Sequence, residues 1–282
     1  MNSRVTWLCT LALTMGVAMG CDEKKPDLAP TSSSLAPAEK PTQGAVTFAV
    51  DAKSSKVGFL MNAPIEKIFG EANESAEGQI HVDLMDTTKT TALIKIDLDK
   101  LVLFQQKRED EKGEFGEKVK NDTQNEHARA WLEISDDAPK DVREKHRWAE
   151  FKITKLEDVS VADLSKASGT ERKLTATAVG EFRLHERKVE KKAKLEAVFK
   201  FDGDKPVSVS VKTLEPVVVG LEAHDVRPRE AFGKLAQKTL GALGNKVAQE
   251  APIQLELTAN AGTAAPAAPA APSKPAEEKG GY

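Results

Sequence analysis

The stretch from Lys173 to Phe201, KLTATAVGEFRLHERKVEKKAKLEAVFKF, leaves this chain few choices of fold. Leu174, Ala176, Ala178, Gly180, Phe182 and Leu184 recur at every second position, and so do Ala193, Leu195, Ala197, Phe199 and Phe201. Thr, Glu, Arg and Lys dominate between them, with Val179 and Val198 as exceptions. A period of two builds strands with one wet face and one dry face. The polar run His185-Glu186-Arg187-Lys188 between the two sets predicts the turn of a long hairpin. Ala176, Ala178 and Gly180 put small groups in the middle of the dry face. The volume they leave is filled either by Phe or Leu from a facing strand or by a ligand.

The same alternation recurs at Val46-Phe48-Val50, Val57-Phe59-Met61, Ile80-Val82-Leu84, Ala92-Ile94-Ile96-Leu98, Phe151-Ile153, Val207-Val209-Val211 and Ile253-Leu255-Leu257-Ala259. The polar segments at 51–55, 105–120 and 158–172 read as turns and loops. Two stretches read as helix. Asp122 caps a short one that buries Ala128, Trp131 and Leu132. A longer one, from Pro228 to Ala248, carries a stripe from Phe232 to Val247 and reads as a lid or plug. Eight or more strands with no βα alternation predict a mainly β, antiparallel fold. Both a sandwich and a closed barrel bury one face per strand, and the long strands favour the barrel.

The two ends differ from this middle. Arg4 followed by the apolar run Val5–Val17 has the pattern of an export signal, too short to span a bilayer. Ala18-Met19-Gly20-Cys21 then resembles the lipobox of bacterial lipoproteins, with Ala18 where Leu is usual. That resemblance implies lipidation of Cys21, a mature chain starting there, and a membrane-anchored protein facing the periplasm or cell surface. The competing reading is ordinary secretory cleavage with Cys21 left as a free thiol. Cys9 lies in the signal, so the mature chain keeps one Cys and can form no internal disulfide. Composition divides the chain into a signal at 1–20, a Pro/Ser/Lys-rich disordered tether at 21–44, a barrel domain at 45–261 and a disordered Ala/Pro-rich tail at 262–282.

A net charge of −3, with Lys and Glu interspersed along the strands, gives no electrostatic case for nucleic acid. The five histidines, His81, His127, His146, His185 and His224, show no i, i+3 or i, i+4 pairing, so the spacing signals no metal site. They are expected at the surface or near helix caps, with His127 and His224 of most interest. Gly-x-Ser-x-Gly, P-loop and G-x-G-x-x-G patterns are absent, and no carboxylate pair stands out. The chain is not expected to be an enzyme or to need a cofactor.

The order of these features resembles the YceI-like family over most of Val46 to Asn260. Phe48-Ala49-Val50-Asp51 with Ser55-Lys56-Val57-Gly58-Phe59 is similar to the family's first two strands. Gly70 and Glu77-Gly78-Gln79-Ile80 resemble its F-G…G-x-I turn, and Ile94 to Leu101 its next apolar strand. Asn125 to Leu132 is similar to its R-D-x-H-L-R…F segment, and Leu174 to Leu184 to its L-T-x-x-G-x-L-x-x-H-G hairpin. Met61-Asn62-Ala63 stands where the family often has a His. The resemblance implies a lipocalin-like barrel of about eight strands that binds a polyisoprenoid or isoprenoid quinone. The inward residues expected to line its cavity are Phe48, Phe59, Ile80, Ile94, Ile96, Phe151, Ala176, Ala178, Phe182, Phe199 and Leu257. The alternative is a tethered scaffold with a filled core, acting through its loops and the 228–248 helix.

Overall fold

The computed structural model describes residues 27–227 and 249–262. The expected export signal with Cys21, the helix expected at 228–248 and nearly all of the tail lie outside them. Thirteen strands and two α-helices occur among the described residues. They run β1 (Val46–Val50), β2 (Lys56–Ala63), β3 (Glu66–Glu71), β4 (Ala76–Val82), β5 (Thr91–Asp97), β6 (Val102–Lys107), β7 (Val119–Lys120), α1 (Asp122–Trp131), α2 (Lys140–His146), β8 (Trp148–Glu157), β9 (Glu171–Leu184), β10 (Arg187–Asp202), β11 (Lys205–Thr213), β12 (Val217–Gly220) and β13 (Glu250–Ala261).

Eight of these strands close a ring, β1-β4-β5-β8-β9-β10-β11-β13, because β13 pairs back onto β1. Every pairing is antiparallel. Closure removes the sheet edges that an open stack would leave exposed. β13 is long enough to pair β1 near its C-terminus and β2 near its middle. β2 carries β3, β6 and β7 with it, so one end of the barrel flares into a wing.

The hairpin of β9 and β10 is the longest pairing, with Ala176 opposite Leu195 and Ala178 opposite Ala193. Its turn is tighter than the sequence implies. It is His185-Glu186 alone, with φ 51° and 57°. Two left-handed residues are what a two-residue turn needs to follow the strand twist. Gly180 has a different task. A Cβ there would sit 2.0 Å from the Lys152 carbonyl oxygen, so β8 and β9 approach too closely for a side chain.

Some segments depart from the periodicity. Residues 66–71, which the alternation does not mark as a strand, form β3 because β2 and β6 offer ladders on both sides. β6 continues to Lys107, where the alternation has already faded. α2 was not legible, since KDVREKH carries one apolar residue. The cap of α1 is Asn121, whose side chain accepts from the Gln124 N–H, one residue before the expected Asp122.

The largest departure is at the N-terminal side. Residues 27–44, read by composition as a tether, lie across the outer wall of the barrel. Thr31 bridges to Arg187, and the Ser32 N–H donates to the Glu186 carbonyl at 2.8 Å. The buried Glu150 carboxylate accepts from the Leu35 N–H at 2.6 Å and the Ser34 hydroxyl at 2.5 Å. Ala29 and Leu35 are buried. A strap of this kind needs no periodicity, because its backbone groups are satisfied by the wall beneath it.

Candidate functional site

The dry faces of the closed ring, together with β2, β3 and α1, enclose a cavity of about 1060 Å³. Its wall is built by alternation. Each strand delivers every second residue inward, and those residues are Val, Leu, Ile, Phe and Ala almost throughout. Ala193, Leu195, Ala197 and Phe199 of β10 follow one another down one side. Ala193 and Ala197 keep that side low, which is where the volume arises.

Eight of the eleven residues expected in the cavity do line it: Phe59, Ile80, Ile94, Ile96, Phe151, Phe182, Phe199 and Leu257. Three do not. Phe48 is fully buried behind Phe199, ring edge to ring face at a centroid distance of 5.8 Å, and so helps close the barrel. Ala176 and Ala178 are buried in the same core as Ala193 and Leu195 but are not part of the lining. Near that closed end, Arg172 covers the Phe201 ring with its guanidinium carbon 3.7 Å from the centroid.

α1 completes the wall. The edge of β6 would otherwise leave backbone groups unpaired, and Asn125 takes a strand's place. Its side chain accepts from the Leu103 N–H at 2.8 Å and donates to the Leu103 carbonyl at 3.0 Å. That anchor brings Ala128, Trp131 and Leu132 onto the cavity, as the helical spacing predicts, and His127 stacks on Trp131. The rim carries Asn62, Ala63, Pro64 and the half-exposed Ile65 of the β2–β3 turn, with Glu111 and Gln124 nearby in the lining. Three polar atoms on cavity-lining residues, Glu66 Oε1, Thr90 Oγ1 and Trp131 Nε1, are buried without a hydrogen-bond partner among the described residues. In an apolar interior each such atom costs about 1–3 kcal/mol until something meets it.

Four of the five histidines are buried, against the expectation of a surface role. His81 faces outward, but the strap covers it, with Ala38 O 3.2 Å and Thr47 Oγ1 3.0 Å from its ring nitrogens. Burial holds the His81, His146 and His224 rings below the ordinary histidine range. Beside the α1 end of the barrel, Arg147 pairs with Asp97 at 2.7 and 2.9 Å. Burial alone would raise the Asp97 carboxyl, but the hydrogen bonds and charge of Arg147 outweigh it and hold it below the usual carboxylate range.

A closed, eight-stranded antiparallel barrel with an apolar hollow is a lipocalin-like architecture. A solved structure of a polyisoprenoid-binding domain from Saccharophagus degradans, implicated in plant cell wall breakdown, is similar at 14% identity with a TM-score of 0.45, over 77% of this chain and 99% of that one. A likeness at that level carries no argument about function. No family model matches the sequence, and no curated protein matches it.

Proposed function

We propose that this protein is a non-catalytic carrier or store for a long apolar lipid of isoprenoid type, a polyprenol or an isoprenoid quinone, held inside the barrel. The observation that carries the reading is the 1060 Å³ apolar cavity. Left dry, a void of that size would cost about 25 kcal/mol at roughly 24 cal/mol per Å³. That exceeds the net stability of an ordinary domain, about 5–15 kcal/mol. The hollow therefore holds water or a ligand, and its wall offers water few partners. An alkyl or prenyl chain gains about 0.8 kcal/mol for each CH2 it buries there and needs no charged partner. The unpartnered atoms on Glu66, Thr90 and Trp131 add a few polar points to a wall that is otherwise apolar.

The export signal and the Ala18-Met19-Gly20-Cys21 run support a lipid anchor at Cys21, which would hold the barrel beside the membrane that contains such lipids. A scaffold acting only through its loops would gain nothing from so large a hollow. The reading is tested on the exported protein, purified without detergent, by native mass spectrometry and solvent extraction. Recovery of a stoichiometric apolar molecule with a polar end, or uptake of one added polyprenol or quinone per chain, is the expected result. A ligand-free mass with no uptake of either would overturn it.

A further inference from the structure

Away from the cavity lining, three residues distant in sequence converge: Glu133, His146 and His185, with their ligating atoms all within 4.8 Å of one another. Glu133 Oε2 lies 3.2 Å from His146 Nδ1 and 3.1 Å from His185 Nε2. Two donors about 2.05 Å from one tetrahedral ion stand about 3.3 Å apart, so both contacts have the length of a shared coordination edge.

The outer nitrogens show what the inner ones must do. His185 Nδ1 lies 3.1 Å from the His224 carbonyl oxygen, which can only accept, so Nδ1 carries the hydrogen. His146 Nε2 lies 3.3 Å from a Glu186 carboxylate oxygen, so Nε2 carries it there. Each ring therefore turns its remaining nitrogen toward the same Glu133 oxygen. Protonating both would place two imidazolium rings at a centroid distance of 3.8 Å with Arg183 nearby. His146 is 6% exposed, and its Nδ1 is buried without a hydrogen-bond partner. One cation between the three donors removes every conflict at once. The charges around it are Glu133, Glu186 and Arg183, a formal sum of −1 with both rings neutral. Arg183 directs its own N–H groups to the Ser32 and Lys145 carbonyls.

We propose that Glu133, His146 and His185 bind one divalent transition-metal ion of the zinc class, with Glu186 and the His224 carbonyl orienting the two rings. Three protein ligands leave a fourth position for water or an outside ligand. The outer contacts are those by which ligating histidines are normally held. The site ties three places together. Glu133 ends α1 in a left-handed conformation, its N–H donating to Ala130 O and the next N–H to Arg129 O. His146 closes α2, and His185 opens the β9–β10 turn. Leu132 and Leu184, one residue before Glu133 and His185, line the cavity, so the ion would pin α1 to the barrel mouth. This inference stands whether or not the barrel carries a lipid.

The test uses the tag-free exported protein, stripped with chelator and dialysed against Zn2+ or Co2+. The expected results are one zinc per chain and a visible cobalt band of low-coordinate nitrogen and oxygen ligation. At free zinc about a hundredfold above Kd, the thermal midpoint rises by about 5–11 °C. Glu133→Gln, which keeps the side-chain shape, and His185→Gln abolish the cobalt band. Glu186→Gln weakens zinc binding by about 10–100-fold. Should either ligand variant fail to fold, the wild-type stoichiometry, cobalt band and midpoint shift still decide. Less than stoichiometric uptake by the wild type, or an unchanged cobalt band in folded Glu133→Gln and His185→Gln, overturns the site.

Discussion

Ala193→Phe puts the cavity to its most direct test. Ala193 lines the hollow from β10, and its neighbour Lys194 points to solvent, so adjacent residues probe opposite faces of one strand. The substitution adds six ring carbons inside the barrel. If they displace an equal length of lipid chain, the loss is about 5 kcal/mol at roughly 0.8 kcal/mol per carbon. That is the upper figure, and it corresponds to a fall in affinity of about three- to five-thousandfold. The ligand-free protein responds differently. A ring entering open apolar space escapes the 1–3 kcal/mol that overpacking costs in a filled core. Its thermal midpoint should therefore hold or rise by a few degrees, since 1 kcal/mol moves a barrel of this size by about 2–4 °C. Uptake is followed by quenching of tryptophan fluorescence, Trp131 being part of the wall, and by native mass. Lys194→Phe is the control and should leave uptake unchanged. If Ala193→Phe lowers the midpoint by the full overpacking amount, or binds lipid as the wild type does, the cavity is not where the lipid goes.

Three further outcomes follow from the same geometry. Gly180→Ala forces a methyl onto the Lys152 carbonyl and should cost at least the 1–3 kcal/mol of an overpacked core, read as a lower denaturant midpoint. Arg147→Ala strands the buried Asp97 carboxylate and should cost about 1–3 kcal/mol near neutral pH. Because the folded carboxyl is held low, that stability is present above the unfolded Asp value and lost as pH falls through the folded one, so wild type and variant should converge in acid. The buried His81, His146 and His224 are held low as well, so the unfolded chain takes up protons that the folded chain refuses below about pH 6.5. Stability in chelator should fall as pH drops from 7 toward 5, by at most about 1.4 kcal/mol per pH unit for each ring, and a flat profile would contradict their burial.

The inward set of a strand is written in its alternation, which is why Ile80, Ile94, Phe182 and Leu257 could be placed on the cavity side from sequence. A period of two assigns a face, and closing eight such strands leaves that face nowhere to go but inward. The same rule could not separate Ala178 from Ala193. Both are small, inward and paired across β9 and β10, and only the closed barrel decides that Ala193 borders the hollow while Ala178 does not. Phe48 was placed on the right face and the wrong depth for the same reason.

Other features have no local signature at all. The strap at residues 27–44 is polar and aperiodic, and what holds it is the position of Glu150, Glu186 and Ala223 on the wall. Glu133, His146 and His185 are separated by whole helices and strands, so no spacing rule could unite them. The chain alone determined that its dry faces must be buried together. The closed barrel decided which side chains meet there, because convergence of distant residues is set by strand register and helix docking, and neither is a property of neighbours in sequence.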